Sequence, residues 1–218
     1  NLPITLVACT SNILDYINKS VLFKDNPVAK ILIGVEETIY AKVNKDIARS
    51  ILKLPKNDKI ILFGGINLDD NRHGGKYLLD SLNLLNDKLN KSKLNTDITL
   101  VTIGRRNGFD ASMLPIKWIH LGEIKDDRIL SFIYQASDIY ACSTIDSFGP
   151  MMINEAFMCG VKIVAFESDT SVAKDFIISD EIGYLSERYN IEEFSKALLQ
   201  CILDKNRTYT NDVANSLK

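Results

Sequence analysis

No apolar run in this chain approaches the ~20 residues needed to cross a bilayer. The opening stretch NLPITLVACT has neither the charged start nor the cleavage pattern of a secretory leader. There are two histidines, His73 and His120, and four cysteines (Cys9, Cys142, Cys159, Cys201) with no C-x-x-C pair. That scarcity argues against a structural zinc site. The cysteines read as small buried hydrophobes of a reducing, cytosolic environment. An excess of basic charge is missing too: 26 Lys and Arg face 28 Asp and Glu, a net −2, so nothing in bulk charge draws the chain to nucleic acid. Internal repeats and low-complexity segments are absent. What remains is 218 residues, 46% apolar and 25% charged, the profile of a globular protein with room for one large domain or one and a half.

Apolar runs alternate with helical patterns almost throughout. ITLVA (4–8), AKILIGV (29–35), KIILFGG (59–65), DITLVTIG (97–104), KWIHLGEI (117–124), DIYACST (138–144) and KIVAF (162–166) read as strands. Helices are expected at 11–20, capped by Ser11 or Asn12, at KDIARSILKL (45–54), and at 74–90, where Leu78, Leu82, Leu85 and Leu89 share a face. Further helices are expected at 126–137, at PMMINEAFMC (150–159) and at 191–205. Pro150 would open the fifth of these and Gly160 close it. This alternation predicts an α/β fold, a doubly wound Rossmann-like parallel sheet covered on both faces. Residues 36–58 are polar and turn-rich, and a domain boundary is expected near residue 45, dividing 1–45 from 46–218.

In such a sheet the ligand lies beyond the carboxyl ends of the strands. That rule selects Gly64-Gly65, Gly104-Arg105, Leu121-Gly122 and Ser143-Thr144. Three of these ends carry glycine, which admits backbone close to a ligand, although glycines also simply terminate strands. The stretch STIDSFGPMMINEAFMCG (143–160) adds two acids, Asp146 before the expected helix and Glu155 inside an apolar one. A buried carboxylate without a partner costs several kcal/mol, so Glu155 should have a partner or a ligand unless it faces solvent. Asp146 could equally be a helix cap or turn residue.

The ordered set Gly64-Gly65, NLDDNRHGGKYLLDSL, VTIG, WIHLGEIKDDRILSFIYQASDIYACST, DSFGPMMINEAFMCGVKIVAF, GYL and FSKALL, over about residues 59–204, resembles the C-terminal, donor-binding half of a GT-B glycosyltransferase of family 4 (group 1). The resemblance implies a retaining, hexosyltransferase-type transfer from a nucleotide-diphosphate sugar to a glycan or lipid-linked acceptor, in polysaccharide or lipopolysaccharide assembly. It implies no cofactor or metal and no nucleic acid. Residues 1–45 would be the end of an acceptor-binding domain plus the connector, with the rest of that domain or a partner subunit supplying the other wall. The setting would be cytoplasmic, with any peripheral attachment at the inner membrane face made through that missing part.

By the same resemblance the catalytic positions are Arg72, His73, Asp146 and Glu155. Arg72 and His73 would meet the diphosphate, with histidine where the family has lysine and Lys76 available one turn later. Asp146 would meet the donor sugar, with eight rather than seven residues between it and Glu155, which would accept the ribose hydroxyls. Gly64, Gly65, Asn67, Gly104, Leu121 and Gly122 would line the donor site. Ser147, Phe148 and Gly149 would offer backbone N–H groups, and Pro150 would open the helix whose start is a natural anion site. His120 reads as a core residue rather than a catalyst, and Trp118 as core or subpocket wall. Two rivals follow: a GT-B epimerase, for which the chain has few histidines, and an inactive domain kept as an interaction module, favoured by Asp for Glu and His for Lys.

Overall fold

The computed structural model describes residues 4–40, 44–92, 96–146, 151–168 and 172–204. The chain begins with β1 (Leu6–Ala8), α1 (Ser11–Lys19) and β2 (Val28–Lys30). These two strands pair in parallel as a sheet of their own. The strand expected at 29–35 is therefore short: beyond Lys30 the chain leaves the sheet and runs over the surface. The cap of α1 is Thr10, not Ser11 or Asn12. Thr10 has extended backbone and accepts the Ile13 N–H, which makes Ser11 the first helical residue.

The main body follows as α2 (Lys45–Ile51), β3 (Lys59–Asn67), α3 (Gly75–Lys91), β4 (Ile98–Arg105), β5 (Lys117–His120), α4 (Asp127–Ala136), β6 (Ile139–Cys142), α5 (Met151–Met158), β7 (Lys162–Phe166), α6 (Ala173–Phe176), β8 (Gly183–Ser186) and α7 (Ile191–Leu203). Six strands form one parallel sheet in the order β5-β4-β3-β6-β7-β8. The fold is the expected α/β, Rossmann-like one. Alternate residues of β3 serve opposite faces: Ile61 and Phe63 pack with the leucines of α3 and with Phe194 and Leu198 of α7, while Ile60 and Leu62 face α2, α4 and α5. Leu78, Leu82, Leu85 and Leu89 are all buried, each contributing roughly 1.5–3 kcal/mol relative to exposure. Cys142, Cys159 and Cys201 are buried and Cys9 partly so, all as free thiols.

Helix ends obey local chemistry. Asp126 accepts the N–H groups of Arg128 and Ile129 and so caps α4. After α5, Gly160 adopts φ 71° and Val161 N–H reaches back to Ala156 O, closing the helix as glycine allows. At the amino edge of the sheet, Asp138 accepts the guanidinium of Arg49 at 2.7 Å, the Ile60 N–H at 2.7 Å and Lys45. Arg49 is itself buried and also donates to the carbonyls of Ala136 and Lys56. This polar knot joins α2 to the main sheet, and its charges are paired, as burial demands. No helix among the described residues is long and apolar enough to cross a membrane.

Candidate active site

The strand order reverses direction between β3 and β6, and the crevice at such a switch point, beyond the carboxyl ends, is where these sheets hold ligands. A cavity of about 370 Å³ lies there. Its floor is Gly64, Gly65 and Gly104; its walls include His73, Glu123, Tyr140 and Thr144, with Met151 and Met152 from the first turn of α5. The glycines are required sterically. At Gly104, φ is 118° and a Cβ would overlap the Gly65 carbonyl oxygen. At Gly64 a Cβ would stand 2.5 Å from Met152 Cε, so the missing side chain lets α5 close over β3. Gly104 N–H also donates to Gly122 O at 2.8 Å, and Leu121 N–H to Thr102 O at 2.9 Å, which aligns Leu121 and Gly122 beside the wall residues Glu123 and Ile124.

After β3 the chain makes a 3-10 turn at Asn71–His73, begun by Asp70, whose carboxylate accepts the Arg72 N–H. This turn is bolted to the end of β6. Ile145 N–H donates to Arg72 O at 2.9 Å and Ser143 Oγ to His73 O at 3.1 Å. Gly74 follows at φ 70°, packed so tightly on Ser143 that no Cβ would fit. His73 is thereby folded against Gly65, in the cavity wall. Burial pushes its imidazole below the usual value, helped by Arg72 and opposed by Asp70, so at neutral pH it is uncharged. Arg72 points to solvent, and its guanidinium is engaged by Asp70 at 2.8 Å, with the Asp146 charge also near enough to favour its protonated form. Asp146 itself is exposed.

Glu155 lies one turn along α5 from the cleft-lining Met151 and is half-buried. The partner its position called for is Tyr134 of α4, whose hydroxyl donates to Glu155 Oε2 at 2.7 Å. Burial raises the Glu155 carboxyl; hydrogen bonds from Tyr134 and Tyr40 lower it, and the Asp127 charge raises it again. The remaining positions divide. Asn67 turns to the neighbouring loop, where Asn107 Nδ2 donates to its Oδ1 at 3.2 Å. Lys76 is exposed and lines a separate cavity of about 400 Å³ with Asp69, Asp80 and Asp110, not the cleft. Ser147, Phe148, Gly149 and Pro150 lie outside the described residues. His120 Nδ1 sits 2.9 Å from Thr102 Oγ1, which also accepts Trp118 Nε1–H at 2.9 Å. Burial holds the His120 imidazole below its usual value, and its contacts are with neighbouring strand residues rather than with the cleft. Sequence reasoning missed Tyr134, Tyr140 and the methionine wall. The one available signal was a pair of tyrosines, at 134 and 140, on either side of a strand start.

The sequence profile of glycosyl transferases group 1 matches residues 44–215. The chain belongs to that family. An uncharacterized glycosyltransferase of Haemophilus influenzae is 38% identical over 69 residues, 32% of this chain and 19% of the relative. Sucrose-phosphate synthase from Thermosynechococcus elongatus has the same fold with a TM-score of 0.74 and 19% identity, over 98% of this chain and 53% of its own. Anabaena HepE, solved in complex with UDP-glucose, gives a TM-score of 0.67 and 17% identity over 97% of this chain and 57% of its own. The C-terminal domain of LpcC, a group 1 protein of Francisella tularensis, gives 0.62 and 19%, over 84% of this chain and 97% of its own. The chain thus spans about half the length of the two longer solved structures.

Proposed function

We propose that this chain is the donor-binding part of a retaining GT-B glycosyltransferase of family 4, moving a hexose from a nucleotide-diphosphate sugar to a glycan or lipid-linked acceptor in polysaccharide or lipopolysaccharide assembly. The observation that carries this reading is the glycine-floored cleft at the β3/β6 switch point, with His73 in its wall, the 3-10 turn that holds Arg72 hydrogen-bonded to the end of β6, and Glu155 one turn along α5 from the cleft-lining Met151. The HepE complex with UDP-glucose supports a donor of the same class.

In this reading the base lies over Gly64, Gly65 and Gly104 against Ile124 and Leu130, read by backbone groups. The ribose hydroxyls go to Glu155. The diphosphate reaches the 3-10 turn, where Arg72 supplies positive charge and His73 a hydrogen bond as the leaving group becomes anionic; fixed groups aimed at developing charge lower the barrier most. Asp146 meets the donor sugar with the N–H groups of 147–149. No metal takes part, so protein groups must supply all the charge. Residues 1–45 are the end of an acceptor-binding domain and the connector, and 46–218 the donor domain. The exposed Val7, Val21, Leu22 and Ile31 on the small sheet and its loop support this division, since a two-stranded sheet is marginal alone. The complete enzyme would work in the cytoplasm, peripherally at the inner membrane face.

The test is calorimetric titration with UDP, GDP and ADP of the protein and of Glu155→Ala. Saturable binding of one nucleotide, lost in the variant, is expected. No binding of any of the three to folded protein overturns the reading.

A further inference from the structure

Tyr134 has no place in the donor reading so far, yet its hydroxyl is the group that meets Glu155. Tyr134 is fully buried on α4. For packing alone phenylalanine would serve, and a buried phenol must find a partner or cost stability. Its ring is held on two sides, by Tyr40 at 6.3 Å and 57° and by Tyr140, itself in the cleft wall, at 6.1 Å and 88°. The hydroxyl is therefore fixed relative to the cleft.

The groups that face Glu155 have a common character. They are Tyr134 and Asp127 from α4, Tyr40 from the connector, Tyr140 from β6 and Cys159 from the turn just after its own helix. Among the described residues, four are phenols or a thiol that burial keeps neutral, the fifth is an acid, and none is a cation. A carboxylate held by Lys or Arg would have its charge and lone pairs already engaged. One held by phenols keeps free acceptor positions and repels phosphate. Two adjacent hydroxyls suit such a group; a phosphate does not.

We propose that Tyr134, with Tyr40 as second donor, is a positioning residue that pins Glu155 so that its free lone pairs meet the cis-diol of the nucleotide ribose. The proposal rests on the donor-site reading above. It also couples the connector to the ribose site. Besides Tyr40, this segment is held by Ser131 Oγ donating to Ile39 O at 2.8 Å and Asn154 Nδ2 to Ile33 O at 2.8 Å, the latter from the residue beside Glu155.

The test is titration of the protein, Tyr134→Phe and Tyr40→Phe with UDP, GDP and ADP, and with the 2′-deoxy form of whichever binds. The protein should prefer the ribonucleotide over its 2′-deoxy form. Tyr134→Phe should lose about tenfold in ribonucleotide affinity, as for one charge-assisted hydrogen bond, and little for the deoxy form, so the preference collapses. An equal loss for both forms indicates a structural role and overturns the proposal, as does no loss. No binding to the parent protein overturns the donor reading, and this inference with it. Should Tyr134→Phe not fold, Tyr40→Phe carries the same readout: an unchanged ribo-to-deoxy preference in it overturns the proposal, a reduced one supports it.

Discussion

Asp175 on α6 accepts the backbone N–H of Ser11 at 3.0 Å, and through it the first turn of α1 is tied to the main domain. The Ser11 hydroxyl donates to the same carboxylate, and Lys30 of β2 closes on it at 2.6 Å. One buried acid thus fastens both the helix and the second strand of the small strand–helix–strand unit. Burial alone would raise its carboxyl, but the hydrogen bonds from Lys30 and Ser11 and the Lys30 charge bring it below the usual value. A carboxyl depressed in the fold stabilises above its unfolded value, and that contribution fades as pH falls through the folded one. Asp175→Asn should therefore loosen residues 4–30 at neutral pH while leaving the six-stranded sheet folded. Limited proteolysis should cut the variant faster between residues 20 and 45, and acidification of the parent protein should reproduce the effect.

Asp138→Ala should be the most destabilising single change at the amino edge of the sheet. It leaves the Arg49 guanidinium buried without its carboxylate, a situation that costs about 3–5 kcal/mol. A urea midpoint should fall accordingly, with an unchanged slope. Nucleotide binding to the protein that remains folded should be intact, because the knot lies at the opposite sheet edge from the cleft.

Much of this architecture could be read from the residues. The strands, the leucine face of α3 and the glycine ends follow from period and composition, because burial on both sheet faces writes apolar runs into the chain. The cap of α1 did not, since Thr10, Ser11 and Asn12 each offer a suitable oxygen and only backbone geometry picks one. The strand expected over 29–35 stops short, because Ile31, Leu32 and Ile33 are apolar yet have no strand partner beyond Lys30. The order of strands is invisible locally, and so is the encounter of Tyr134 with Glu155, which depends on how α4 and α5 lean together. Lys76 turned away from the cleft because Gly74 breaks the path between the 3-10 turn and α3.

Glu155→Gln should separate stability from function. The fold holds the Glu155 proton more tightly than the unfolded chain does, burial being the main cause. A carboxyl raised in the fold gives its full stability below the unfolded value, near 4.5, and loses it as pH rises through the folded one. At pH 7 the ionised group is therefore a burden that glutamine lifts. The thermal midpoint should rise, whereas nucleotide affinity should drop by about ten- to a hundredfold, the effect of losing charged hydrogen bonds.

Gly104→Ala and Gly64→Ala should differ in kind. At Gly104 the new methyl meets rigid backbone at a positive φ, and about 3 kcal/mol or more of stability should be lost. At Gly64 it meets Met152 Cε, the end of a flexible side chain, but also Ile103 Cγ1 at 2.6 Å. Met152 can swing into the cleft, so nucleotide binding should suffer more than the unfolding midpoint. Calorimetry and thermal melts on the two variants distinguish these outcomes.

Arg72→Ala should leave the melting curve unchanged, since the side chain lies in solvent, and lower turnover of the complete enzyme by about 10²-fold, as removal of one fixed donor at a developing anion does. Asp70→Ala frees the same guanidinium; its carboxyl is held down to about 2 mainly by the Arg72 hydrogen bonds. Tighter diphosphate binding at low ionic strength, measured by calorimetry, is expected for it.

The bond from Ile145 N–H to Arg72 O joins segments that are distant along the chain, and it depends on β6 seating beside β3 after β4 and β5 have already been laid down on the other side. Closing so long a loop is slow, and contacts of this kind form late. During synthesis, the half of the sheet that carries the glycine floor emerges without the half that completes the cleft. A ligand of this cleft has nothing to hold until β6 is in place. It can lengthen the life of the finished protein but cannot help to start its folding.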